Sequence, residues 1–149
     1  LKLPPVLLFL LCGAITWGVA GAAPAGWRVT GPAGPLLAVL LAVAGVAFAV
    51  PALVCFRRSG TTVNPLDPPA ASRLVTASVF RWSRNPMYLS LLLLLLAWAA
   101  FLGQPVAVVG AFLFAAWITR FQIMPEERAL EARFGDEFRR YRERVRRWL

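Results

Sequence analysis

The stretch Asn85–Thr119, NPMYLSLLLLLLAWAAFLGQPVAVVGAFLFAAWIT, carries no charged side chain, and its length decides the fold. As one helix it would run about 52 Å at 1.5 Å per residue, against a bilayer hydrocarbon core of about 30 Å. One straight crossing does not fit. Gly103-Gln104-Pro105 stands near its middle, and these helix breakers make the run a tight helical hairpin, about 87–102 in one direction and about 105–123 in the other. Such a hairpin returns both of its ends to one side of a membrane.

Working outward, no charge interrupts the chain between Lys2 and Arg28 or between Arg28 and Arg57. Each interval supplies the roughly 20 apolar residues a crossing helix needs, which predicts spans at about 3–23 and 35–56. The first span resembles the apolar core of a signal peptide, but it is long and leads straight into a second span, so it is expected to be retained. The connection through Pro24, Gly26, Gly31, Pro32 and Pro35 is rich in breakers and carries only Arg28. The 149 residues are 59% hydrophobic, above the roughly 45–50% of soluble domains, and fit one membrane domain.

The net charge of +9 does not mark a nucleic-acid protein. Of fifteen Arg, five lie in 57–84 and nine in 120–149, the stretches flanking apolar spans, as the positive-inside bias and contact with anionic lipid require. The loop 57–86, the tail and both termini are therefore expected on the cytoplasmic side. Cys12 and Cys55 sit in separate apolar spans and there is no His, which excludes a His-dependent triad and argues against a metal site.

Beyond Pro125, the residues Leu130, Phe134, Phe138, Tyr141, Val145 and Trp148 recur at three- or four-residue steps among charges. This predicts a cytoplasmic amphipathic helix over 126–149, with Gly135 as a point of division. The fold class read from the sequence is thus all-α: an integral membrane four-helix bundle with a helical hairpin and a C-terminal amphipathic helix.

Two polar constellations flank the hairpin, Arg81-Trp82-Ser83-Arg84-Asn85-Pro86-Met87-Tyr88 before it and Pro125-Glu126-Glu127 after it. If the two hairpin helices are adjacent and antiparallel, Arg, Asn and Tyr meet two carboxylates, a setting suited to a zwitterion. Ordinary helix-end preferences also account for each group: Asn85 as a cap, Pro86 in the first turn, Arg84 at the membrane boundary, and two Glu facing a helix dipole.

Arg84-Asn85-Pro86-Met87-Tyr88, followed some forty residues later by Glu126-Glu127 and then Leu130, Phe134-Gly135, Tyr141 and Val145, resembles the isoprenylcysteine carboxyl methyltransferase family and its phospholipid methyltransferase relatives. The family pattern is Arg-His-Pro-x-Tyr, an intramembrane hairpin, Glu-Glu and an aromatic, basic tail. Gly60-Thr61-Thr62-Val63-Asn64-Pro65 and Leu74-Val75-Thr76 look like the bacterial branch. The resemblance runs from about Arg57 to the end of the chain. It implies an S-adenosylmethionine-dependent methyltransferase, with Arg84, Asn85, Tyr88, Glu126 and Glu127 helping to bind the cofactor and no catalytic residue assigned. It also implies a lipophilic acceptor, namely an isoprenylcysteine-like carboxylate, a lipid amine or a hydrophobic thiol, and placement in a bacterial inner membrane.

Three departures stand out: Asn85 replaces the family's His, Ala77-Ser78 stands where related sequences tend to have Gly, and Ser90 follows the motif where Gly is frequent. Asn keeps a donor and an acceptor but cannot titrate. The competing reading is a non-catalytic membrane bundle acting as a scaffold, sensor or transport component. A sterol-reductase-like reading lacks the Gly-x-Gly-x-x-Gly dinucleotide fingerprint.

Overall fold

The computed structural model describes residues 3–29, 31–59 and 74–149. The segment 60–65, part of the family resemblance, lies outside these residues. Among the described residues the chain is all helical: α1 (Pro5–Ala22), α2 (Ala33–Ser59), α3 (Pro86–Leu102), α4 (Val109–Ile118), α5 (Met124–Phe134) and α6 (Asp136–Arg144). Short 3-10 turns occupy Ala25–Trp27, Ser78–Arg81 and Pro105–Val108, and a π-helical turn, Thr119–Ile123, joins α4 to α5.

Three helical runs are long and apolar enough to cross a membrane: Pro5–Ala22, Ala33–Cys55 and Pro105–Phe134. The apolar α3 is shorter, at 17 residues. Leu36, Leu37, Val39, Leu40, Val43, Val46 and Val50 of α2 are all exposed, a surface that needs hydrocarbon rather than water around it. Arg120, exposed about midway along the third run, has its guanidinium 5.7 Å from the Phe121 ring centre, and its long side chain can carry the charge toward the interface.

The packing order differs from a simple hairpin. The principal neighbours of α3 are α2 and α1, and α1 also lies against α4. Small residues permit these approaches, as is common where helices pack in lipid without a hydrophobic drive between them. A side chain at Gly45 of α2 would meet Ser90 O at 3.2 Å, and one at Gly34 would meet Ala100 O at 3.0 Å. On the other side, Gly110 of α4 faces Cys12 and Thr16 of α1 so closely that a methyl group there would overlap Thr16 Oγ1. Thr16 is fully buried and donates its hydroxyl to Cys12 O at 2.8 Å, so its polarity is satisfied within α1.

Gly103 ends α3 in the left-handed conformation, φ 66°, where a Cβ is unfavourable and Gly is the usual solution. Its carbonyl accepts a 2.7 Å bond from Val29 N–H, tying the hairpin's turn to the connection between α1 and α2. At the opposite, basic end, Leu8, Cys12, Tyr88, Leu95, Ala111, Phe114, Ile118 and Ile123 form one buried cluster drawn from α1, α3, α4 and the π turn.

The tail is not one helix over 126–149. Gly135, at φ 50° and ψ −121°, separates α5 from α6, and the chain leaves helix at Val145. This turn lets α6 fold back: Phe138, Tyr141 and Val145 are buried together, against Leu74, Leu130 and Phe134.

Candidate functional site

The site begins with the turn that precedes α3. Asn85 makes no side-chain cap to α3; its backbone N–H bonds Ser83 Oγ at 3.1 Å, and Pro86 supplies the first turn, where a missing N–H costs nothing. This frees the Asn85 amide, which donates to Arg147 O at 3.0 Å. Ser83, fully buried, donates to the same carbonyl at 3.3 Å, and Arg84 N–H donates to Arg146 O at 2.9 Å. Three consecutive residues therefore hold two consecutive residues of the tail.

The Arg84 side chain completes that attachment. Its Nη1 donates to Arg142 O and Val145 O, both at 3.0 Å, satisfying carbonyls that the end of α6 would leave open. Its Nη2 pairs with Glu127 Oε1 at 2.8 Å. Glu127 also takes two bonds from Arg147, Nε to Oε1 at 3.1 Å and Nη2 to Oε2 at 2.7 Å, the forked geometry that guanidinium and carboxylate favour. The hydrogen bond to Glu127 raises the Arg147 pKa above its usual value. Tyr141 anchors α6 by donating to Phe80 O at 2.7 Å, and burial pushes its phenol well above the ordinary range, so it stays a donor.

Beside this ion cluster, Tyr88 Oη donates to Glu126 Oε1 at 2.7 Å. Among the described residues nothing bonds the other oxygen of Glu126, and Arg84 Nε is buried without an acceptor. The five residues singled out in the sequence thus converge at the basic end of the bundle, but in two groups. Arg84, Asn85 and Glu127 are engaged with one another or with the tail; Tyr88 and Glu126 form a pair with unused capacity.

Ser83 and Arg147 also belong here, and sequence reading did not single them out. Ser83 sat inside the quoted constellation as an ordinary loop residue. Arg147 is one of many tail arginines, and only the fold-back at Gly135 selects it. Ser78, at a position where the resembling sequences tend to have Gly, adopts φ 58°, a conformation Gly enters more readily than Ser.

A family model described as phospholipid methyltransferase matches residues 34–137, a range that holds α2 to α5 and both halves of the site. The chain belongs to this methyltransferase family. Of two relatives, a protein of Haemophilus influenzae described only as uncharacterized is 57% identical over 63 residues, which is 42% of this chain and all of that protein. Methanethiol S-methyltransferase 1 of Bradyrhizobium diazoefficiens is 40% identical over 76 residues, 49% of this chain and 25% of that protein's length. No solved structure matches. As a member of the phospholipid methyltransferase family with helices apolar enough to cross a bilayer, the chain is a membrane methyltransferase.

Proposed function

We propose that the chain transfers a methyl group from S-adenosylmethionine to a lipophilic acceptor that reaches the site from the bilayer. The observation that carries this reading is the Tyr88–Glu126 pair, set beside the Arg84–Glu127–Arg147 cluster and connected through it to the tail. S-adenosylmethionine supplies, when bound, a methyl group on a positively charged sulfur that departs as a neutral thioether. Its other groups match what the site leaves unused: the free oxygen of Glu126 suits a ribose hydroxyl or an ammonium, and the Arg84 Nε–H suits a carboxylate.

In this reading Tyr88 and Glu126 touch the donor. Arg84, Asn85 and Glu127 line the same pocket and hold the tail over it, so that water is excluded and donor and acceptor stay aligned. Alignment in a dry site supplies most of the acceleration for a transfer to an already nucleophilic carboxylate, thiolate or amine. The absence of a titrating His is then no obstacle. The name of the Bradyrhizobium relative supports a hydrophobic thiol among these acceptors.

The purified protein in detergent should bind S-adenosylhomocysteine, and Tyr88→Phe should weaken that binding about tenfold, as expected for one lost hydrogen bond to a charged group. Titration calorimetry on parent and variant gives both values. Equal affinities would remove the pair from the donor site, and no binding by the parent would remove the donor.

The same reading has four crossings, with both ends of this chain, the 57–86 loop and the tail in the cytoplasm of a bacterial cell, and with 24–35 and 103–105 outside, following the Arg distribution. A cysteine at Gly26, where a side chain meets nothing within 4 Å, should react with a membrane-impermeant thiol reagent added outside intact cells, in a background with Cys12 and Cys55 replaced. Reaction only after the inner face is opened would invert the topology.

A further inference from the structure

Gln122 occupies a position where the pattern of the helix calls for an apolar residue. Phe114 and Ile118, at four-residue steps before it, are fully buried, as is Ile123 beside it, and Gln122 itself is 5% exposed. Its amide makes no hydrogen bond with any described residue. The side chain lies inside the bundle, yet its amide nitrogen and oxygen are not among the atoms sealed without a partner, so two donors and an acceptor stay open to a ligand that reaches them.

The backbone at Gln122 is unusual as well. The π turn Thr119–Ile123 closes with Met124 N–H bonding Thr119 O, one residue wider than an α turn. Pro125 accounts for it, since proline has no N–H and its ring crowds the carbonyl four residues earlier. The widened turn places two consecutive residues, Gln122 and Ile123, inside the bundle, and single π turns are frequent at functional sites.

Its neighbours locate the amide. Ile118 and Ile123 belong to the buried cluster that contains Tyr88, and Glu126, four residues on from Gln122, accepts the Tyr88 hydroxyl. Gln122 therefore lies one turn deeper in the bundle than the carboxylate assigned above to the donor. That cluster is apolar, with Trp117 and Trp148 packed against it.

We propose that Gln122 recognises the adenine of the methyl donor, its amide oxygen accepting the 6-amino group and its amide nitrogen donating to an adjacent ring nitrogen. A carboxamide is the side chain whose paired donor and acceptor match that edge of adenine, and apolar neighbours suit the faces of the base. The assignment rests on the donor reading above and adds a base-specific contact to it.

The test compares S-adenosylhomocysteine with S-inosylhomocysteine, whose 6-oxo group reverses the donor at that edge, on the parent and on Gln122→Leu in detergent. The parent should favour the adenine compound. In Gln122→Leu, affinity for it should fall roughly ten- to a hundredfold, the preference should vanish, and the melting temperature should stay level because the fold loses no hydrogen bond. Retention of the parent's preference, or adenine-compound affinity within twofold of the parent, would overturn the assignment. A parent that binds neither compound rejects the donor reading itself, whereas a parent that binds both equally rejects only the role of Gln122.

Discussion

Glu127→Ala is expected to release the tail and lower S-adenosylhomocysteine affinity by about a hundredfold or more. The Glu127 side chain is 12% exposed and stands between Arg84, 9% exposed, and Arg147, 36% exposed. Removing it leaves the Arg84 guanidinium buried with two unpartnered nitrogens, since Nε already has none. Breaking a buried pair from one side costs about 3–5 kcal/mol. The partial exposure of Arg147 screens its share and puts the expected cost near the lower figure, about 3 kcal/mol, which corresponds to roughly a hundredfold.

The loss should appear in two ways, as faster proteolysis between Arg139 and Arg147 and as weaker binding by calorimetry. Glu131 provides the control. It pairs with Arg139 and Arg142, side chains that are 57% and 46% exposed, and exposed pairs contribute about 0–1 kcal/mol. If Glu127→Ala and Glu131→Ala give the same proteolysis pattern and the same affinity, the Arg84–Glu127–Arg147 cluster does not hold the tail.

Gly110→Ala is expected to be the most damaging single-methyl change in the apolar part of the bundle. The added carbon would overlap Thr16 Oγ1 and stand 2.6 Å from Cys12 O, and backbone cannot rotate away as a long side chain can. Overpacking of this kind costs about 1–3 kcal/mol and occasionally more. The melting temperature in detergent should drop by several degrees, whereas Gly18→Ala, with nothing within 4 Å, should leave it unchanged or raise it slightly. Thr16→Ala placed in the Gly110→Ala background should recover part of the loss by removing the hydroxyl, with the contact to Cys12 O remaining. A Gly110→Ala protein as stable as the parent would mean that α1 and α4 are not in close contact.

How the two halves of the site come together was only partly legible. The expectation that helix ends joined by a hairpin bring Arg84 and Tyr88 to Glu126 and Glu127 rests on chain connectivity. In the structure the contacts exist, but α1 lies against both α3 and α4 and supplies Leu8 and Cys12 to the cluster around Tyr88. No periodicity in residues 5–22 announces this, because a span that is apolar all round presents no preferred face. The partners of Arg84 and Asn85 were likewise hidden. Each is held by backbone carbonyls of 142–147, and any residue type offers a carbonyl.

Legible in the residues alone were the all-helical character, the apolar runs, the break after Leu102 and the identity of the polar residues at the basic end. These follow from apolar length, charge placement and Gly or Pro position, quantities local to the chain. Only the tertiary structure decided which of those polar residues are already engaged and which are unused. Arg84 and Glu127 are paired because Gly135 turns α6 back onto the α3 entrance, and Gln122 is buried because the π turn before Pro125 carries it inward. A hydrogen bond depends on distances set by packing among segments far apart in the chain, which composition and spacing do not contain.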